Sequence, residues 1–418
     1  MTQAVRPSTI KLYNALLFDG ESEDLTENGS VFIEADTIRE VAPMDIKTPA
    51  DLAIDCKRGF LMPGLIDLHF HVYSVTFDLR KLDQMPPAIL TLHAAKHLEA
   101  SLLRGFTSVR DPGGAEYSLH LAIEQGLING PRLFFGGKAL SQTGGHGDTR
   151  LPYEDSICGC ASSSILCTRV DGVDAVRKVA REELRKGAHH VKVHVSGGVG
   201  SKSDPLWMNQ FTDAELVAVV EEAGSRRKYV AAHCHTDEGA RRCVRAGVRS
   251  IEHGTHIEPE TAALIAASGN TYVVPTFAVI HQILEHGSDT GLSQESVAKS
   301  AGLLEQMSRS LGTCRHAGVG IGLGTDIFGT QYHPLQSREF SYRSGLERSI
   351  DTLRSATSVN AEIMQQSHQL GRIAPGYKAD VILVSGNPLL DISIFERHET
   401  HMPLIVKNGT IVKNAMCA

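Results

Sequence analysis

Between residues 62 and 371, short apolar and β-branched runs alternate with longer stretches whose apolar residues recur at helical spacing. The runs at 65–71, 106–111, 132–139, 189–195, 229–235, 248–253, 271–277 and 319–326 predict strands. The stretches at 171–186, 213–227, 237–246 and 293–317 predict helices among them. Strand and helix in repeated alternation imply an α/β chain with a parallel sheet, and eight such strands imply a (β/α)8 TIM barrel. Two polar segments break the rhythm: 141–167 after the third strand and 331–344 after the eighth. Both are read as loops or lids over a substrate.

The two ends of the chain follow a different pattern. Extended runs at 8–18, 31–41 and 52–60 are separated by a turn-rich stretch holding Gly20, Asn28 and Gly29. Further runs at 378–385 and 404–412 follow, the second carrying the turn pair Asn408-Gly409. Neither end is long enough to bury a sheet face alone. They are therefore expected to pair in one small β-sandwich domain of residues 1–61 and 372–418, leaving 62–371 for the barrel.

Bulk properties narrow the function. A chain of 418 residues suits one large barrel with an accessory domain. With 41 basic and 48 acidic side chains the formal charge is −7, and no basic run occurs, which argues against nucleic acid and anionic membrane as partners. No apolar run is long enough to cross a bilayer, and the first ten residues carry no secretory pattern. The eight cysteines form no C-x-x-C pair. Cys158, Cys160 and Cys167 cluster, but no fourth ligand stands at a recognised zinc spacing, so they are read as reduced thiols. A cytoplasmic protein is expected.

The 20 histidines change the picture most, because several fall at the ends of the strand-like runs. In a TIM barrel the active site lies at those ends. The first run closes with Asp67-Leu68-His69-Phe70-His71, and residues two apart on a strand share one face, so both imidazoles can grip one ion. The fourth reads His190-Val191-Lys192-Val193-His194. An ammonium buried between valines is costly. One escape is a lowered pKa and reaction with carbon dioxide to a carbamate that bridges two metals, with His190 and His194 as rival ligands on the same face. The fifth run ends His233-Cys234-His235, the sixth Glu252-His253-Gly254 and the eighth Gly324-Thr325-Asp326. Neutral imidazoles suit zinc. Asp326 is suited both to hold a metal and to take a proton from an attacking water.

With these residues in view the chain resembles the amidohydrolase superfamily. The likeness rests on Pro63-Gly-Leu-Ile-Asp-Leu-His-Phe-His71, Lys192, His233, Ile251-Glu-His-Gly254, Gly324-Thr-Asp326 and the closing Gly371-Arg-Ile-Ala-Pro-Gly-Tyr-Lys-Ala-Asp-Val-Ile-Leu383. Thr143-Gly-Gly-His-Gly-Asp148 and Val191-Lys-Val-His-Val-Ser-Gly-Gly-Val199 look most like the prolidase-like branch, which includes Xaa-Pro dipeptidases, N-acyl amino acid hydrolases and ochratoxin amidases. The resemblance implies two divalent ions, expected to be zinc: one on His69, His71 and Asp326, the other on His233 and His253, with carboxylated Lys192 between them. It also implies that His146 touches the substrate carbonyl or the oxyanion, and that the protein is a homo-oligomer. One departure stands out. Two residues after the metal histidine the branch often has a substrate-binding Tyr, and here that place is taken by His235.

The expected reaction is hydrolysis of an amide or peptide bond in a small substrate bearing a carboxylate. Arg150 and Arg338, in the two long segments, are candidates to read that carboxylate, since a guanidinium fork fits it, with a plain surface role as the alternative for each. A deaminase or cyclic-amide hydrolase on the same scaffold is one rival, because fold alone does not set function. A non-catalytic metal-binding protein is another, and the presence of Asp326 weighs against it.

Overall fold

The computed structural model describes residues 7–151, 153–154, 164–201 and 204–416. The chain divides into two compact units. One takes the chain up to Asp67, Glu99–Ser108 and the chain from Phe340; the other takes Leu68–Leu98 and Val109–Glu339.

In the first unit the chain ends join in one eight-stranded mixed sheet. Thr9–Leu17 runs antiparallel to Thr26–Glu34, which pairs with Thr37–Ala42. On its other side Thr9–Leu17 runs parallel to Leu52–Asp55 and to Phe60–Pro63; the latter pairs with Val381–Val384, and Leu404–Lys407 and Thr410–Asn414 complete the sheet. Alternation decides the faces: Ile10, Leu12, Val31, Ile33, Leu61, Val381, Leu383, Leu404 and Val406 share one buried cluster. The expected hairpin at Asn408-Gly409 is present, and both residues have the positive φ, 48° and 66°, that such a two-residue turn demands.

In the second unit six short parallel strands lie in the order Cys167–Arg169, Ala139–Ser141, His190–His194, Tyr229–Cys234, Ser250–His253 and Tyr272–Val274. Every residue from His190 to His194 and from Tyr229 to Cys234 is buried, as expected of strands covered on both faces. Helices intervene, and those on either side of Tyr229–Cys234 carry side-chain caps at their N-termini. Thr212 and Glu215 form a capping box at the start of Asp213–Ser225, and Thr236 caps Asp237–Ala246. Among the described residues no helix is long and apolar enough to cross a membrane.

Several expected elements come out differently. The third strand is split into Arg132–Phe135 and Ala139–Ser141, broken where Gly137 takes a φ of 71°. Cys167–Arg169, read as loop, adds a strand beside Ala139–Ser141. The helix expected at 293–317 is two helices, Gln294–Lys299 and Leu303–His316, separated at Gly302. The segment expected as a second loop is instead a 3-10 helix, Thr330–Ser337, followed by a short α-helix, Arg338–Arg343, because Tyr332, His333, Gln336 and Ser337 turn inward. The eighth run makes only one isolated bridge, Val273 with Ile321, yet its backbone follows its neighbours closely. A Cβ on Gly324 would stand 2.7 Å from the Cβ of His69, so only glycine allows this approach.

Candidate active site

The parallel register lines up the histidines. His194 stands opposite His233, and Cys234 stands opposite His253, so these rings emerge together at the C-terminal edge of the sheet. His69 and His71 follow directly on Leu65–Asp67, and the backbone N–H of Asp326 donates to the carbonyl of His69 at 2.7 Å. Asp326 and His253 both hold positive φ, 55° and 69°, a conformation uncommon for residues that bear a side chain.

One cavity collects them. Its lining includes His69, His71, His146, Lys192, His194, His233, His235, His253 and Asp326, with apolar walls from Phe77, Leu166, Val279, Ile280, Ile283 and Phe328. Two groups within it are close enough to share a cation each: His69, His71 and Asp326, and His233, His235 and His253.

Hydrogen bonds settle which ring nitrogens face inward. Nδ1 of His69 lies 2.8 Å from Oε2 of Glu252. That carboxylate already accepts from Arg110 at 2.6 Å and from Ser250 at 2.7 Å, so the ring must be the donor. Nδ1 of His71 donates to the Gly113 carbonyl at 2.9 Å. In both rings Nε2 is then the lone-pair nitrogen, and both lie 3.4 Å from Oδ1 of Asp326. Two lone pairs and a carboxylate oxygen repel one another unless a cation or proton lies among them, which is the fit expected of a metal position. In the second group Nε2 of His233 donates to the Gly197 carbonyl at 3.2 Å, leaving Nδ1 as its acceptor. Nδ1 of His253 meets Thr276 at 2.8 Å, and Nδ1 of His235 meets Thr255 at 2.7 Å.

Burial keeps most of these rings in the neutral form that a ligand needs, whereas at His71 burial is outweighed by Asp326 beside it, which raises that ring. Burial pushes His69 down to about 4 and His235 down to about 3, and holds His194, His233 and His253 well below the ordinary imidazole value. Burial also lowers Lys192, a 3% exposed residue. Burial alone would raise Asp326, but the nearby His69 and His71 outweigh it and keep the carboxyl below its usual range.

The structure thus gathers His69, His71, Lys192, His233, His253, Asp326, His146 and His235 into one cavity. Of the two histidines that rival Lys192, His194 lines the cavity, whereas His190 is not in its lining and stacks on Tyr229. Arg150 borders a second cavity that shares Phe77, Leu79, His146 and Gly200 with the first, and its guanidinium forks onto Asp148 at 2.9 and 2.7 Å. Arg338 is brought into neither. It pairs with Glu285 at 3.2 Å on a helical segment, not on a loop over the site. Cys167 is a buried free thiol on the cavity wall, while Cys158 and Cys160 lie outside the described residues. Glu252 and Arg110 were missed as site residues. An acid and a base within wholly buried strands was the available signal.

Comparison with known proteins decides the family. A family model described as the amidohydrolase family matches residues 60–416. The chain belongs to the amidohydrolase family. It is 32% identical over 425 aligned positions to ochratoxinase of Aspergillus niger, covering 96% of this chain and 86% of that protein. The amidohydrolase chain also superposes on the crystal structure of a prolidase complexed with N-methylphosphonate-L-proline, with a TM-score of 0.93, 40% identity, and coverage of 97% and 100% of the two chains. A Xaa-Pro dipeptidase with bound methionine in the active site matches with a TM-score of 0.86 and 30% identity, over 97% and 100% of the chains. These place the chain in the prolidase-like branch of the amidohydrolases, as hydrolases acting on amide or peptide C–N bonds.

Proposed function

We propose that this amidohydrolase holds two divalent metal ions and cleaves an amide or peptide bond in a small substrate with a free carboxylate: a dipeptide, an N-acyl amino acid or an ochratoxin-like amide. The observation that carries the reading is the meeting of two ligand groups and a buried lysine in one cavity. His69, His71 and Asp326 would hold one ion, and His233 and His253 the second, with a carbamate on Lys192 shared between them. Zinc suits the imidazole-rich set. Burial disfavours the ammonium of Lys192. A neutral amine adds to carbon dioxide and loses one proton to become the carbamate. Bound there, the ions would supply a Lewis acid for the scissile carbonyl and acidify a water toward neutrality.

The chain's own groups supply the rest. Asp326 is kept as a carboxylate, and its Oδ1 faces His69 and His71, which leaves Oδ2 to take the water's proton and return it to the leaving nitrogen. His146 donates to the developing oxyanion, and His235 contacts the substrate. Val279, Ile280, Ile283 and Phe328 shield the reacting bond from bulk water. Arg150, on the neighbouring cavity, is the better-placed reader of a substrate carboxylate.

The architecture proposed with this function is a closed (β/α)8 barrel over 62–371 with a small β-sandwich from 1–61 and 372–418. Closure is supported by backbone bonds beyond the six-stranded sheet. Val273 exchanges bonds with Gly320 and Gly322, Leu323 accepts from Leu68, Arg110 accepts from Phe70, Asp111 accepts from Gly136, and Phe135 accepts from His189. The sandwich is supported by one buried cluster that draws side chains from strands far apart in the sheet order, Ile33 and Val406 among them. A cytoplasmic homo-oligomer is part of the same reading, on the likeness to that branch.

Elemental analysis of fully loaded protein, with a screen of dipeptides and N-acyl amino acids against their C-terminal amides, tests the proposal. About two ions per chain and a strong preference for the free acids are expected. Full activity with one tightly bound ion would overturn the binuclear reading. Equal kcat/KM for acid and amide would overturn the carboxylate requirement.

A further inference from the structure

We infer that Asp204, with Ser201, is a positioning residue that locks the His146 ring in one orientation; the inference rests on the role proposed above for His146. Nδ1 of His146 lies 2.8 Å from Oγ of Ser201 and 3.6 Å from Oδ2 of Asp204. The Ser201 hydroxyl donates to the Gly198 carbonyl at 3.3 Å, so toward His146 its oxygen acts as an acceptor. A carboxylate beside the same nitrogen demands the same polarity. Nδ1 must therefore carry a hydrogen, which leaves Nε2 as the atom facing a ligand, able to donate to the oxyanion once the ring carries a second proton there. Among the described residues Nε2 has no hydrogen-bond partner.

The carboxylate is itself built in. Asp204 is wholly buried, and its Oδ2 accepts from the Gly198 backbone N–H at 3.0 Å and from Nε2 of Gln210 at 3.2 Å. The other end of the same amide accepts the His146 backbone N–H at 3.1 Å, so Gln210 ties the histidine's main chain to the acid that holds its ring. Lys299 fastens the loop from outside by donating to the carbonyls of Ser201 and Asp204 at 2.7 and 3.0 Å. The ring has little room to move. It stacks on His233 with centroids 4.3 Å apart and planes 17° apart, and on its other side a Cβ at Gly198 would lie 2.1 Å from Cε1. A side chain that must meet a reacting oxygen gains most from being fixed in this way before the substrate arrives.

The test is a double-mutant cycle on zinc-loaded enzyme, with an N-acyl amino acid from the screen above as substrate, paired with nitrogen-15 NMR of histidine-labelled, metal-free protein. His146→Ala identifies the His146 signals by their loss. In the wild type those signals should show Nδ1 protonated and Nε2 unprotonated at alkaline pH. Asp204→Asn should mix the two neutral forms and lower kcat by about 10- to 100-fold with little change in KM or metal content. The same substitution should cost almost nothing in the His146→Ala background. An equal loss in both backgrounds, or an unchanged tautomer, would overturn the inference while leaving the role of His146 intact. His146→Ala at full activity would instead remove that role, and this inference with it. If Asp204→Asn does not fold, Ser201→Ala carries the same cycle and the same spectrum, and an unaltered tautomer and rate in that variant also overturn the inference.

Discussion

Oε2 of Glu252 lies 2.8 Å from Nδ1 of His69, and the same carboxylate is held from behind by Arg110 and Ser250. Both acid and base are fully buried, so the pair has no water to fall back on. Its effect on the site is to fix which nitrogen of His69 faces Asp326. Glu252→Gln keeps the shape but offers an amide in place of the anion. Affinity for the ion at His69 and His71 should fall roughly 10- to 100-fold, read by chelator competition. Unchanged affinity would mean that the carboxylate is only a packing partner of Arg110.

Lys192→Ala removes the one cavity side chain, among the described residues, that is able to become a carbamate. Metal content should drop and turnover should be nearly lost. Adding a short carboxylic acid should restore part of the activity by filling the gap. Full metal content and normal rate in this variant would leave His194 as the remaining candidate on that strand.

Asp326→Asn tests the proton acceptor. The amide cannot take the proton that Oδ2 is proposed to receive, so kcat should fall by at least ~10²-fold. Measurement on protein confirmed to be metal-loaded separates this loss from lost binding. An active Asn variant would move the base elsewhere in the cavity.

The metal-free protein should be acid-sensitive in a defined window. His69 and His235 are pushed down to about 4 and about 3 by burial, against 6.5 for an unperturbed imidazole. Because the folded values are lower, the unfolded chain binds more protons as pH falls. The stability associated with these rings is fully present above about 6.5 and is lost progressively below it. At pH 5 each costs on the order of 2 kcal/mol relative to pH 8. The thermal midpoint of chelator-treated protein should therefore fall between pH 7 and pH 5. A flat profile would show that the rings are solvated when the ions are absent.

How much of this was legible in the sequence depends on whether the information was local. The two-residue spacing of His69 and His71, and the histidines closing the runs at 233 and 253, follow from strand periodicity, and the structure brings them together. Arg338 stands outside both cavities: its polar surroundings read as loop, whereas buried Tyr332, His333 and Gln336 wind the segment preceding it into a 3-10 helix. The eighth run read as a full strand, but Gly320 and Gly324 bring its backbone against its neighbours with little regular pairing. Asp204 left no local trace. Its meaning depends on Gln210 and His146, which meet it only after the loop closes.

The sheet order has a consequence for biosynthesis. Phe60–Pro63 lies between Thr9–Leu17 and Val381–Val384, so its second neighbour is translated more than three hundred residues after it. At the usual pace of translation that delay is roughly 15 to 60 s. Through that time the nascent chain carries an open edge of buried-type residues, Phe60, Leu61 and Met62, which would pair with any exposed strand nearby. Ribosome-associated chaperones, or rapid folding of the parallel strands in between, must guard that edge until the last strands emerge.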